Sequence, residues 1–282
     1  MAVIAFTSPR SPGTTTAALA LALTWPRPSL LIEADPAGSS LHTGFLRSRG
    51  DLGRGLFNAA LAARTSSDPG VLREQATALD ASGNRQLITG ITHPGQGAPL
   101  AELWPTLTRM LTSATGSLFP HDVLADCGRI GHRHRPAALL EAADAVVVLA
   151  AAEPGAVHAA LASAALVRDR PGPAPLLLAT IGADRQLPEA KITQLARAAG
   201  LLYLGALPTD QKTADMLSGR AAPGRGLERR PLMLAAQSLG QRIYTVIART
   251  PRPAPAAPTE RPAPPTVVVH RPEVSGGGYA LR

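Results

Sequence analysis

The sequence predicts an α/β fold in three layers, with a mostly parallel central sheet and helices on both of its faces. Three observations lead there. Short apolar runs rich in β-branched residues alternate with Ala/Leu-rich stretches, which is the pattern of βαβ units and right-handed crossovers. Glycine-bearing or acidic loops fall where several of those runs end, and ligands of parallel sheets sit beyond the carboxyl ends of the strands. The chain of 282 residues is long enough for one such domain of about 250 residues, close to the size at which a single core stops growing.

The elements follow in order. AVIAF (2–6) is the first strand and runs through SPRSPG into the helical TTTAALALALTW (14–25). SLLIEAD (29–35) is a second strand, followed by a helix from Leu52 to Arg64. RQLITGI (85–91) precedes a helix around Leu100 to Thr112. DVLADCG (122–128), AVVVLAA (145–151), PLLLATI (175–181) and LLYLGAL (201–207) continue the alternation, each ahead of a helical stretch. Trp25 and Trp104 read as core or edge residues. From residue 251 the composition turns to PRPAPAAPTERPAPP, and proline removes backbone donors and favours extended chain. The expected division is a domain over 1–250 and a disordered, proline-rich tail over 251–282, in which TVVVH (266–270) could add a strand to a partner's sheet edge.

Composition narrows the function classes. The formal charge is +8, yet the basic residues are scattered, and all but two of the 28 are arginine, the exceptions being Lys191 and Lys212. A basic total of that kind says little about nucleic acid. The single cysteine, Cys127, excludes a disulfide framework and reads as packed. No positive segment precedes the first apolar residues, and the run AVVVLAAAEPG is broken by Glu153, Pro154 and Gly155, so no membrane span is expected and the protein reads as cytoplasmic.

The chemistry lies in three strand ends. The first strand runs into Gly13-Thr14-Thr15-Thr16, the second ends at Glu33-Ala34-Asp35-Pro36-Ala37-Gly38, and a later one ends at Asp126-Cys127-Gly128. A phosphate loop works because glycine-rich backbone turns its amides toward phosphate at a helix N-terminus, a hydroxyl reaches Mg²⁺, and lysine neutralises the β and γ oxygens. Gly13 and the Thr15 hydroxyl are present for this, Asp126 can hold Mg²⁺ or its water, and Asp35 can orient an attacking water. The bland alternative is a threonine-capped strand-to-helix turn, with Asp35 and Asp126 capping turns of their own.

On these residues the chain resembles the MinD and ParA group of deviant Walker A ATPases, over roughly residues 1–248. LLIEADPAGSSL is similar to the group's second-strand motif, HDVLADCGRIG to its Walker B and switch region, and ADAVVVLAAAEPGAVHAA to the strand and helix that follow. YLGALPTDQKTADMLSGR resembles the late segment in which a proline and an aspartate, here Pro208 and Asp210, lie close to the base, and GRGLERRPLMLAAQSLGQRI resembles the closing helix. The resemblance implies a P-loop NTPase-like fold and ATP with Mg²⁺ as ligands, with Arg10, Gly13, Thr14, Thr15, Thr16, Thr180, Pro208 and Asp210 around the nucleotide and Thr15 and Asp126 on the metal. It also implies protein partners and a homodimer, in partitioning, septum placement or localisation of a secretion or pilus apparatus.

The departures decide the expected activity. The pattern K-G-G-x-G-K-T-T laid on residues 9–16 gives Pro9, Arg10, Ser11, Pro12, Gly13, Thr14, Thr15, Thr16, so both lysines and two of three glycines are absent. No lysine precedes Lys191, and Pro9 and Pro12 remove two amides. Arginine is not a geometric replacement for a compact ammonium. Thr180 stands where the group has an asparagine reading adenine, and it cannot make the bidentate contact. With charge-assisted phosphate contacts worth about 1.5 to 3 kcal/mol each, the loss of two lysines costs on the order of 100-fold in affinity. The expectation is a degenerate site with slow or absent hydrolysis, a pseudo-ATPase that either binds nucleotide weakly or has no cofactor. Two alternatives stay open: an active ATPase using Arg10, and an arginine-dependent DNA-binding module. For the latter, Arg129, Arg133 and Arg135 with His132 and His134 form one cationic cluster, and Arg220, Arg225, Arg229 and Arg230 a second. Aromatic residues make up only 3% of the chain, which argues against base stacking.

Overall fold

The computed structural model describes residues 1–10, 13–47, 53–66, 68–112, 121–168, 174–222 and 224–250. They fall in one compact unit, Met1–Arg252, while a second unit, Pro253–Arg282, and with it the predicted tail and TVVVH, lie outside the described residues. The strands are β1 (Val3–Ser8), β2 (Ser29–Glu33), β3 (Thr77–Ala78), β4 (Arg85–Ile88), β5 (Asp122–Arg129), β6 (Ala145–Ala151), β7 (Leu176–Ile181) and β8 (Leu202–Leu207). The helices are α1 (Thr14–Thr24), α2 (Leu56–Ala62), α3 (Gly70–Glu74), α4 (Gly97–Thr112), α5 (Ala137–Ala142), α6 (Pro154–Arg168), α7 (Glu189–Ala198), α8 (Gln211–Leu217) and α9 (Pro231–Arg249).

The strands form one sheet in the order β3-β4-β2-β5-β1-β6-β7-β8, parallel throughout except for the short β3, which pairs antiparallel with β4. The predicted three-layer α/β fold is what the structure contains. Each central strand is buried on both faces, as parallel sheets require. In β5, Val123, Ala125 and Cys127 enter the core against α2, α4, α5, α6 and α7, while Leu124 enters the core against α1, α8 and α9. β6 divides in the same way, with Val146, Val148 and Ala150 on one face and Val147 and Leu149 on the other. Trp104 and Trp25, buried in opposite layers, anchor them.

Local chemistry accounts for three departures from the sequence reading. The helix expected from Leu52 begins only at Leu56, because Gly55 stands at its N-cap with φ 141, a conformation that side-chain-bearing residues rarely adopt. β3 was not foreseen at all, since two residues, Thr77 and Ala78, leave no alternation to read. The helix expected around Leu100 starts at Gly97, after a 3₁₀ turn (Pro94–Gln96) that His93 and Gln96 cap reciprocally.

This order brings the carboxyl ends of β2, β5 and β1 side by side. After β5 the chain crosses to the other side of β1 to form β6, so β1 and β5 flank the topological switch point, where such sheets place their ligands.

Candidate functional site

The site is built from one register row. Glu33 of β2 lies beside Asp126 of β5, which lies beside Phe6 of β1. Past that row β1 leads into the loop before α1. Gly13 is the N-cap of α1 in the left-handed conformation, φ 80, and no side chain caps the helix. The threonine cap offered by the bland reading is therefore not made. With no acidic residue in the first turn either, the amides at the start of α1 and its positive dipole end are left for other partners.

Thr15, one residue into α1, donates its hydroxyl to Asp126 Oδ2 at 2.5 Å. The Gly128 amide donates to the other oxygen, Oδ1, at 3.1 Å. Asp126 is 1% exposed. Burial pushes its carboxyl up from 3.8 to about 7; the bonds from Thr15 and Gly128 oppose that rise, and the nearby charges of Asp35 and Glu33 add to it. Burial, and after it the nearby charges of Asp126 and Asp35, also push the Cys127 thiol up, so it stays protonated and packed.

Asp35 reaches this group because Gly128 has no side chain. A Cβ on Gly128 would stand 2.2 Å from Asp35 Cγ, and Gly128 itself has φ 61. The Asp35 carboxylate accepts from the Ala37 amide at 2.8 Å, and its carbonyl accepts from Gly38 at 3.2 Å, closing a tight turn. Glu33 holds that turn in place. It is buried and accepts from the Ser39 hydroxyl, from the Ser40 and Leu41 amides at 3.0 Å each, and from the Gly90 amide at 3.1 Å. Sequence reasoning gave Glu33 no role. The available signal was an acid embedded in the apolar strand SLLIE.

The other predicted residues divide into two groups. Thr14 and Thr16 join Thr15 in the first turn of α1, and the Thr14 hydroxyl is buried with no hydrogen-bond partner among the described residues. Arg10 is exposed at the end of β1, its amide donating to Ser8 Oγ at 3.2 Å; Ser11 and Pro12 lie outside the described residues. Thr180, Pro208 and Asp210 sit at the same end of the sheet but on β7 and after β8. Thr180 is fully buried, with its hydroxyl 2.9 Å from that of Tyr203. Asp210 caps α8, accepting from the Thr213 amide at 3.1 Å and hydroxyl at 2.6 Å. Partial burial works to raise its carboxyl, but the Thr213 bonds and the Leu232 amide hold it below the ordinary value. Among the described residues no hydrogen bond joins Thr180 or Asp210 to the cluster around Asp126.

The basic groups also differ from one another. In the second cluster Arg220 is paired with Asp215 at 2.8 Å and Arg229 lies 3.8 Å from Glu228, which offsets part of its charge. In the first, the His132 and His134 rings lie 5.9 Å apart, and Arg129 and Arg133 are exposed.

A hydroxyl and two carboxylates at a helix N-terminus form an all-oxygen donor set, which suits Mg²⁺. Among the described residues no group of three or more His, Cys, Asp or Glu could hold a metal by itself. A Mg²⁺ ion would therefore depend on waters and a ligand's oxygens, as Mg²⁺ commonly does. The metal side fits. On the phosphate side the described residues supply the helix terminus, and no lysine occurs in the sequence before Lys191.

Neither a protein-family model nor a curated protein matches the sequence. Solved structures do match. A ParA family ATPase from Chlorobium tepidum aligns with TM-score 0.65 at 14% identity, over 85% of this chain and 98% of that one. A chain of the MinC:MinD cell division protein complex of Aquifex aeolicus aligns with TM-score 0.65 at 16% identity, over 90% and 99%. The septum site-determining protein MinD of Pyrococcus horikoshii, complexed with Mg-ADP, aligns with TM-score 0.63 at 14% identity, over 88% and 99%. The chain thus has the MinD/ParA-type P-loop fold. Among the described residues no helix is long and apolar enough to cross a membrane.

Proposed function

We propose that this chain is a MinD/ParA-like positioning, scaffolding or regulatory factor whose nucleotide site is degenerate. It retains the Mg²⁺ side and has lost the lysines that drive hydrolysis. The observation that carries the reading is the Thr15–Asp126 hydrogen bond of 2.5 Å at the start of α1, with Asp35 drawn in against Gly128. A packed core needs no hydroxyl, buried carboxylate and second carboxylate converging on an uncapped helix N-terminus.

In this reading Thr15 and Asp126 would hold Mg²⁺, and Gly13, Thr14 and Thr15 would face the phosphates of ATP. The metal would supply charge neutralisation. Asp35 is placed to orient a water, and Glu33 keeps the Asp35 turn rigid. Without lysine, charge developing on transferred phosphoryl oxygens has little to stabilise it, so hydrolysis is slow or absent. The Pyrococcus horikoshii neighbour carries Mg-ADP and the Aquifex aeolicus neighbour is in complex with MinC, which supports a nucleotide-linked role exercised through protein partners. The proposal includes a homodimer that does without the lysines of the resembled pattern, because Pro9 and Thr14 stand at their positions.

One measurement of phosphate release tests it. The purified chain with ATP and Mg²⁺ is expected to turn over no faster than the double variant Thr15→Ala, Asp35→Ala. Brisk, Mg²⁺-dependent turnover would replace this reading with an active ATPase in which Arg10, exposed beside the loop, supplies the charge.

A further inference from the structure

The cation missing from the loop has a candidate on the neighbouring strand. β5 pairs with β1 residue for residue up to Phe6 and Asp126; the register then slips, and Ser8 faces Arg129. Gly128, in the left-handed region at φ 61, takes up the extra residue. Two bonds lock the slip: the Thr7 hydroxyl donates to the Gly128 carbonyl at 2.9 Å, and the Ile130 amide donates to the Ser8 carbonyl at 3.0 Å. A strand without the bulge would carry Arg129 one step further from β1's end and onto the opposite face. With it, Arg129 sits beside Ser8, where β1 leads into the loop before Gly13.

Arg129 is exposed, and its guanidinium has no hydrogen bond or ion pair among the described residues. The N-terminus of α1 lacks a side-chain cap, and the hydroxyl of Thr14, its first residue, is buried without a partner. A backbone position that the bulge sets beside Ser8, bearing an exposed guanidinium without a partner among the described residues, lies at the same strand end as an uncapped helix terminus and a buried hydroxyl that has no partner there. Their shared complement is an oxyanion with several acceptors. We propose that Arg129 binds the phosphate of a ligand seated at the N-terminus of α1, taking the part of the ammonium groups that Pro9 and Thr14 cannot supply. The guanidinium fork suits two phosphate oxygens at once. The proposal rests on the reading of the site as a phosphate-ligand site and assigns its cation to β5 rather than to the loop.

The test is equilibrium binding of a fluorescent ATP analogue with Mg²⁺ to the full chain, with pyrophosphate, inorganic phosphate and adenosine as competitors. The variants are Arg129→Gln, Arg129→Lys and Arg10→Gln, with a thermal melt of each. Arg129→Gln is expected to weaken analogue binding about tenfold or more. Arg129→Lys should recover part of the loss, Arg10→Gln should lose less, and the melts should stay close together because Arg129 is exposed. Unchanged affinity in Arg129→Gln, with adenosine competing as well as pyrophosphate, overturns the proposal and leaves nucleotide binding standing. Arg129-dependent binding of pyrophosphate and phosphate without binding of the analogue keeps the proposal and removes the nucleotide reading. Absence of binding by every anion at millimolar concentration removes both.

Discussion

Strand β5 carries two aspartates, Asp122 at its start and Asp126 near its end, and each is 1% exposed. Their surroundings are opposite. Asp122 accepts from the Ala2 amide at 2.8 Å and from Trp25 Nε1 at 3.0 Å, and Arg27 Nε lies 3.7 Å away. Asp126 accepts from one hydroxyl and one amide and is faced by two further acids, Asp35 and Glu33, with no cation bonded to it among the described residues. The first is the compensated buried charge of a structural residue. The second is a charge that the fold leaves uncompensated, and such a group gains from an external cation. Equal burial on one strand thus hides two roles, and only the neighbours separate them.

Substitutions sharpen this contrast, beginning with the largest expected effect. Asp122→Ala leaves the buried Trp25 and Ala2 donors unsatisfied and should lower stability by about 3 to 5 kcal/mol. In a chain of this size that lowers Tm by roughly 10 °C. A change of only a degree or two would mean that Asp122 is not the structural member of the pair.

Asp126→Asn should act in the other direction. With the folded carboxyl raised from 3.8 to about 7, the folded state binds the proton more tightly than the unfolded one. Stability is therefore lost as pH rises through that window and is spared below it. Replacing Asp126 by a neutral amide should stabilise the chain at pH 8 by about 2 to 4 kcal/mol and change little at pH 4. Paired melts at the two pH values check the sign. Destabilisation at pH 8 would place Asp126 with Asp122.

Gly128→Ala tests the geometry that admits Asp35. The new Cβ meets the Asp35 carboxylate at 2.2 to 2.5 Å and requires a left-handed backbone. A loss of about 1 to 3 kcal/mol is expected, together with loss of any Mg²⁺-dependent stabilisation seen in the parent chain. Retained Mg²⁺ response would remove Asp35 from the metal side.

Thr15→Val gives the smallest effect. It removes one hydrogen bond to a buried acid, worth about 1 to 2 kcal/mol, and without that bond Asp126 should titrate at still higher pH. A Tm rise on adding Mg²⁺ at pH 8 should be present in the parent and absent in this variant. Equal responses would exclude Thr15 as a metal ligand.

Much of this was readable from residue order. Alternating apolar runs place seven of the strands because a parallel sheet buried on both faces needs continuous apolar segments, and SLLIEAD and DVLADCG carry that signal. Asp35, Asp126 and Thr15 were picked out as strand-end and loop polar residues, and they do meet. β3 was not readable, and neither was the role of Glu33, whose four partners at Ser39, Ser40, Leu41 and Gly90 come from two different loops. The capping role of Asp210 was missed because its partner, Thr213, looks no different from any exposed helix residue in a linear reading.

Sequence alone established the α/β alternation and the absence of lysine before Lys191, because both follow from the kind and spacing of residues along the chain. Tertiary structure decided which of two equally buried aspartates lacks a counter-charge among the described residues, and that a one-residue bulge sets Arg129 beside Ser8. Electrostatics and register are relations between strands, and β1, β2 and β5 lie tens of residues apart in the chain yet become neighbours in the sheet.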